Sequence, residues 1–288
     1  MIWVNSVVQG ILVGGLYALF AAGLSLIFGV MRLVNIAHGD MIVGAAYLAW
    51  TIVHVTGLNP LASLVVVVPL AMVFGYGLQA GILNRTLGKD ILPPLLVTFG
   101  LSVIIQNGLL ALYTADNRKL DAGTLETASY PVMPGVDIGY LPMLQLLTAV
   151  AVIAGLQYIF YHSQLGRAFR ATSDDAETAA LMGLDRRRVF ASAMALCLGV
   201  VAIAGVFLGV RASFDPAIGP GRLIFGFEAV IIGGLGNLWG TLAGGIILGV
   251  AQGIGAQLNP GAQVLAGHLT FLLVLALRPT GLFPRMSG

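Results

Sequence analysis

Apolar runs recur from one end of this chain to the other, each broken by only a few polar residues. They cover Val7–Val30, Asp40–Val55, Pro60–Leu83, Leu95–Tyr113, Leu141–Tyr161, Val189–Val210, Leu223–Leu235, Gly240–Leu258 and Ala262–Leu277. A helix of roughly 20 apolar residues matches the hydrocarbon core of a bilayer, and a backbone in lipid must satisfy its own hydrogen bonds. The chain is 58% hydrophobic and 9% charged, whereas a soluble domain carries about 25% charged residues. The expected fold is all-α: a polytopic transmembrane helix bundle of 8–9 spans forming one domain over residues 1–288. Leu223–Leu235 is the short member and is expected to be re-entrant if it does not cross. The first run has no basic segment before it and no small-residue cleavage site, so it reads as a retained span. Cys197 stands alone in an apolar run and reads as core packing. A net charge of +2 excludes an electrostatic nucleic-acid binder.

One long polar island interrupts this pattern. Residues 163–188, SQLGRAFRATSDDAETAALMGLDRRR, hold nine of the 26 charged residues. Ser173 reads as a helix N-cap with Asp174, Asp175 and Glu177 in the first turn, where the helix dipole favours negative charge. Gly183 after Met182 reads as the left-handed residue that ends a helix. Ser173–Met182 is therefore expected to be a short helix, with Ala176, Ala179 and Ala180 as a small-residue face for another protein. Asp185 then caps the next span, and Arg186–Arg188 anchor it at the membrane surface.

Basic residues set the orientation. With the island in the cytoplasm, alternation over nine crossings also places Arg32, Arg85, Lys89, Arg278 and Arg285 inside, ten basic residues in all against four outside. The N-terminus is then outside and the C-terminus inside. Residues 114–140, with Asp116, Asp121, Glu126 and Asp137, become an external (periplasmic) loop, either a plain solvated connection or a docking surface for an external partner.

Two glycine-broken segments are candidates for a translocation path. In Arg32–Asp40, Asn35, His38 and Gly39 separate two apolar runs. The break suits a discontinuous helix lining a cavity, or else a tight turn with Asp40 capping the next helix. Glu228–Gly240 carries Gly233, Gly234, Gly236 and Asn237. It resembles the first break in kind, as corresponding positions of two internal halves would, and otherwise is a re-entrant turn that only packs. Small-xxx-small pairs at Gly10/Gly14, Gly77/Gly81, Gly205/Gly209, Gly245/Gly249 and Gly249/Gly253 favour close helix packing. No P-loop occurs, since Gly88-Lys89-Asp90 lacks the hydroxyl and the upstream glycine. No catalytic triad or metal-ligand spacing is present either, His38 included. The chain is expected to be no enzyme and to hold no cofactor, and Asp40 and Glu228 are too sparse for a proton relay.

Four motifs, GLSLIFGVMRLVNIAHGDMIVGAAY, LGRAFRATSDDAETAALMGLDRRRV, AVIIGGLGNLWGTLAGGIILG and RPTGLF, occur in order along nearly the whole chain. With them the chain resembles the permease subunits of bacterial branched-chain amino acid ABC importers, the shorter of the two permeases in particular. The resemblance implies a multi-pass protein of the bacterial inner membrane that moves aliphatic amino acids inward. Its implied partners are a second homologous permease, two cytoplasmic ATPases that bind the ATP and Mg, and an external substrate-binding protein. It places Gly166, Arg167, Arg170, Asp174, Asp175, Glu177, Ala180 and Gly183 on the ATPase-coupling segment. Permeases for urea, short amides or other small solutes are similar in these motifs. An ATP-independent secondary transporter or channel, and a membrane scaffold, are the alternative classes.

Overall fold

The computed structural model describes residues 2–86 and 92–283. Gly88, Lys89, Asp90 and Arg285, used above, lie outside the described residues. Among the described residues, eight helices are long and apolar enough to cross a membrane. Together with their neighbours they run α1 (Ile2–Met31), α2 (His38–Thr56), α3 (Leu64–Gly81), α4 (Leu92–Tyr113), a short α5 (Thr124–Thr127), a hairpin of β1 (Ser129–Met133) and β2 (Val136–Gly139), α6 (Tyr140–His162), α7 (Gln164–Asp174), α8 (Ala176–Leu181), α9 (Arg186–Arg211), α10 (Gly219–Gly233), α11 (Leu238–Leu258) and α12 (Gln263–Leu277). The all-α polytopic bundle expected from the apolar runs is the observed architecture. The short apolar run is α10, with only 15 residues, and it is not among the eight.

Two helices form the centre. In α1 and α9, 83% and 89% of the apolar window is buried, against 11% in α4 and 6% in α12. Glycine makes the inner contacts close. A Cβ on Gly10 or Gly14 would stand 2.6 and 2.5 Å from the Cα atoms of Val250 and Ile246, so α1 and α11 touch backbone to backbone. The Gly10/Gly14, Gly245/Gly249 and Gly249/Gly253 pairs all serve this one seam.

The chain repeats its own packing in two halves, α1–α4 and α9–α12. α11 lies on α1 as α3 lies on α9; α10 lies on α1 as α2 lies on α9; α12 meets α10 as α4 meets α2. Five spans before α9 make α1 and α9 antiparallel, so the halves are inverted relative to each other. In such an arrangement, segments interrupted at corresponding positions mark the functional centre.

Candidate functional site

Arg32, in the left-handed region at φ 51°, ends α1, and residues 32–37 turn back along it without forming a helix. That backbone still finds partners. The Asn35 side chain accepts from Ala37 N at 3.0 Å, and Ile36 N donates to Thr98 Oγ1 at 3.3 Å. His38, the first residue of α2, is fully buried with Nε2 2.9 Å from Phe20 O and Nδ1 4.0 Å from Cys197 Sγ. Phe20 precedes the end of α1 by eleven residues, about 16 Å of helix, so α2 starts about halfway into the bundle.

α10 starts at the same level from the opposite direction. Residues 212–218 lead into it from the end of α9, tied to the 114–123 connection through a bridge between Arg118 and Phe214. The N-terminal ends of α2 and α10 meet head to head: a Cβ on Gly39 would lie 2.0 Å from Gly219 O, and one on Gly219 would lie 2.0 Å from Asp40 Oδ1. Glycine is required on both sides: at Gly39 a backbone carbonyl occupies the space where a side chain would stand, and at Gly219 the Asp40 carboxylate does.

Each of these two interrupted helices is braced to the outer helix of its own half by a buried carboxylate. Asp40 on α2 accepts from Ser102 Oγ at 2.5 Å and from Gln106 Nε2 at 3.0 Å, both on α4. Asp40 therefore does not cap α2; Ala37 is the N-cap and offers no side-chain bond. Glu228 on α10 meets His268 Nδ1 of α12 through Oε1, while its Oε2 is buried without a partner. A third buried bond, Tyr17 hydroxyl to Gln252 Oε1 at 2.6 Å, links α1 to α11. Ser102, Gln106, Tyr17, Gln252 and His268 were missed from the sequence. The readable signal is their polarity inside spans, with Ser102 and Gln106 one helical turn apart.

The other predicted path residues lie elsewhere. Gly234 (φ 104°) and Gly236 (φ 80°) turn the chain from α10 into α11. Asn237 caps α11 by accepting from Gly240 N at 2.9 Å and donates to Phe283 O at 2.8 Å. Leu282 N and Phe283 N bond back to Ile232 O and Gly233 O, so the RPTGLF motif closes this turn. Gly236 packs beside Gly29 near the end of α1. The structure thus joins Asn35, His38 and Gly39 at the head-to-head contact, and joins Gly234, Gly236 and Asn237 at the α7–α8 end of the bundle. The true counterpart of the 32–37 interruption is 212–218, not 234–237.

The polar island forms two helices, not the single one expected from Ser173 onward. Ser163 caps α7, accepting from Gly166 N at 2.9 Å. A Cβ on Gly166 would stand 2.1 Å from Ile159 O, so α7 leaves α6 with no room between them. Arg170 reaches Phe160 O and lies over the Tyr161 ring at 5.2 Å, and Phe169 is fully buried. Ser173 is inside α7 and its hydroxyl donates to Gly29 O at 2.7 Å, fastening α7 to the end of α1. That tertiary partner replaces the local cap expected of it. The N-cap of α8 is Asp175, accepting from Glu177 N at 2.9 Å and Thr178 N at 3.1 Å. The Thr178 hydroxyl bond and these two backbone bonds hold the Asp175 carboxyl below its ordinary value of 3.8. Gly183 at φ 85° ends α8, with Gly183 N on Ala180 O and Leu184 N on Ala179 O. These two bonds form a Schellman motif. Asp185 caps α9 through Arg187 N and pairs with Arg188 at 3.2 Å. Leu181 and Met182 project from this polar element, 87% and 82% exposed. Arg167, Asp174, Glu177 and Ala180 lie on the same two helices. Among the described residues no His, Cys, Asp and Glu group could hold a metal ion.

Inverted halves, interrupted helices meeting at mid-depth and one rigid polar appendage define a multi-pass membrane transport subunit. The family model of the branched-chain amino acid transport system permease component matches residues 6–277, and the chain belongs to that family. It is 30% identical over 298 residues to the high-affinity branched-chain amino acid transport system permease protein BraD of Pseudomonas aeruginosa, covering 98% of this chain and 96% of BraD. It is 28% identical to LivH of Escherichia coli over 96% of this chain and 94% of LivH. LivM of the same organism, also a permease of that system, is 23% identical over 93% of this chain and 68% of LivM. The solved structure of PsaBC from Streptococcus pneumoniae with a Fab shares the fold: its TM-score is 0.50 at 13% identity, covering 94% of this chain and 91% of that one.

Proposed function

We propose that this chain imports aliphatic, branched-chain amino acids as a permease subunit whose energy comes from two ATPases bound in trans at α7–α8. The observation that carries this reading is the double fastening of that appendage. α7 is tied to α6 through Gly166 and Arg170 and to α1 through Ser173, while α8 presents Leu181 and Met182 outward. A displacement imposed on α8 then reaches α1, against which the inner ends of α2 and α10 are set. Gly166, Arg167, Arg170, Asp174, Asp175, Glu177, Ala180 and Gly183 form the coupling element. Asn35, His38 and Gly39 form the joint between the halves, and Gly234, Gly236 and Asn237 form the turn beside Gly29 at the coupling end. The α7–α8 end faces the cytoplasm of a bacterial inner membrane, with the N-terminus outside. The 114–140 region faces the external binding protein. A second homologous permease completes the pore, as the likeness to both LivH and LivM supports. No step of this scheme asks the chain itself to bind ATP or Mg.

The test is reconstitution with the presumed ATPases, the second permease and the binding protein. Replacing residues 175–183 with a Gly-Ser linker should abolish both ATPase co-purification and ATP-driven leucine uptake. Retention of both overturns the reading. Uptake by this chain without ATPases under an ion gradient would make it a secondary transporter. ATP-driven uptake of urea or short amides in place of leucine would move the substrate class.

A further inference from the structure

At the end of the bundle opposite α7–α8, residues 114–120 leave α4 and cross to the end of α9 as a strap. The strap starts at Thr114, a β-branched residue in the left-handed region at φ 65°, a conformation that such a residue keeps only where its surroundings impose it. The Thr114 hydroxyl donates to Asp116 Oδ2 at 2.6 Å. Arg118 and Phe214 then exchange both backbone bonds at 2.8 Å, and Leu120 N donates to Gly209 O at 2.8 Å. Leu120 is fully buried, and its Cδ1 would stand 2.9 Å from a Cβ on Gly209. Five residues after Phe214 comes Gly219, the α10 side of the joint with Gly39.

Side chains close the strap over the second half of α2. Arg118 lies over the Trp50 ring at 4.8 Å and donates to Tyr113 O at 3.3 Å. Tyr47 stacks on Tyr113 with 4.5 Å between ring centroids and meets the buried Phe214 edge-on at 4.9 Å. The Tyr47 hydroxyl and Arg118 Nε are nevertheless buried with no hydrogen-bond partner, and unpaired groups of this kind destabilise the arrangement that holds them. Beyond the strap the chain forms one folded unit. Lys119 pairs with Glu126, which also accepts from Ala122 N at 2.8 Å, and Gln9 of α1 donates to Asp137 O in the hairpin at 2.6 Å. Tyr130, Val132 and Met133 of that hairpin are exposed.

We propose that this strap is a latch on the joint: while Arg118 holds Phe214, the segment leading into α10 stays against α2, and a partner that displaces the hairpin unit releases it. The inference rests on the importer reading, in which that partner is the external binding protein. Three features distinguish a latch from a plain connection: the left-handed Thr114 where the strap begins, two buried polar groups left unpaired beneath it, and a hold of three backbone bonds. A hold of that size can open and re-form locally without unfolding the bundle. The backbone-to-backbone seam of α1 and α11 is the fixed part against which it works.

The experiment is a reversible cross-link. Residues 119 and 213 flank the Arg118–Phe214 bridge, and the pair next to a hydrogen-bonded one has Cα atoms about 4.5 Å apart, within disulfide reach. Lys119→Cys/Ser213→Cys is assembled with the ATPases, the second permease and the binding protein, and oxidised; Cys197 is buried and does not compete. Cross-link formation is read by thiol alkylation and mass spectrometry. Oxidation should cut ATP-driven leucine uptake at least tenfold and reduction should restore it, with the ATPases co-purifying in both states and neither single variant responding to oxidant. Leu120→Ala loosens the strap without touching the joint and should raise ATP hydrolysis in the absence of the binding protein several-fold. Full uptake with the cross-link formed, cysteines that fail to cross-link, or unchanged hydrolysis in Leu120→Ala each overturns the latch and leaves the importer reading standing. Absence of leucine uptake by the unmodified chain in the same assembly overturns the importer reading, and the latch with it.

Discussion

Adding one methyl group at Gly39 should disable the joint between the two halves while leaving the bundle folded. The new Cβ would lie 2.0 Å from Gly219 O, 2.8 Å from Gly219 C and 2.9 Å from Leu223 N. Real Cβ contacts essentially never fall under 3.0 Å, so the ends of α2 and α10 must part by about 1 Å. Overpacking a close-packed site costs roughly 1–3 kcal/mol. The upper part of that range applies because all three neighbours are backbone atoms of a helix end, with no flexible side chain to swing away. About 3 kcal/mol corresponds to roughly a hundredfold loss in the population of the closed contact. Gly39→Ala should therefore lower the thermal midpoint of the purified chain and cut ATP-driven uptake by one to two orders of magnitude. ATPase co-purification should be unchanged, because α7 is fastened to α1 at Gly29, roughly 14 Å of helix beyond the level of the joint at Phe20. Gly44→Ala is the control on the same helix. Nothing lies within 4 Å of its added Cβ, and alanine is the better helix former. Gly219→Ala should reproduce the Gly39→Ala defect by pushing on Asp40, and the double variant should cost less than the sum, since both open one contact. If Gly39→Ala transports and melts like Gly44→Ala, the head-to-head joint is not the element that switches.

His268→Ala should leave Glu228 with neither oxygen paired in a buried site, a loss of about 1–3 kcal/mol seen as a lower thermal midpoint in detergent. Glu228→Gln keeps the shape and one bond and should lose less. At the appendage, Asp175 has its carboxyl held below the ordinary value in the folded state. Its contribution to the α8 cap is therefore present above the unfolded value and lost as pH falls through the lower folded value, below about pH 4. Proteolytic nicking at residues 175–183 should accelerate only in that acid window, and Asp175→Ala should show the fast rate at all pH values.

The spans were legible because apolar length against bilayer thickness is a strong constraint, and it located every crossing to within a few residues apart from the early start of α1 at Ile2. Caps whose partners are local were legible too: Asp185 before α9, Asn237 before α11 and Gly183 after α8 act as their residue types suggest. Ser173 was not, because its hydroxyl is taken by Gly29 O, 144 residues away in sequence. No local rule reports a competitor at that distance. The split of the island into α7 and α8 follows, since Asp175 then holds the only free cap position between them.

The matching of the two interruptions was misleading for a related reason. Residues 32–40 and 228–240 look alike in sequence because both carry glycine, asparagine and a carboxylate between apolar runs. What relates the inverted halves, however, is the position of a helix start relative to the preceding span, and that makes residues 212–218 the partner of 32–37. This segment carries Pro216 and leads into Gly219, with no histidine or asparagine, so likeness of composition could not find it. The two halves agree instead in function of parts: one helix starting at mid-depth, one glycine against its counterpart, and one carboxylate reaching the outermost helix. Asp40 reaches α4 and Glu228 reaches α12, the two spans least buried within this chain. The joint between Gly39 and Gly219 is therefore linked in each half, through one buried carboxylate, to the helix that this subunit turns furthest outward.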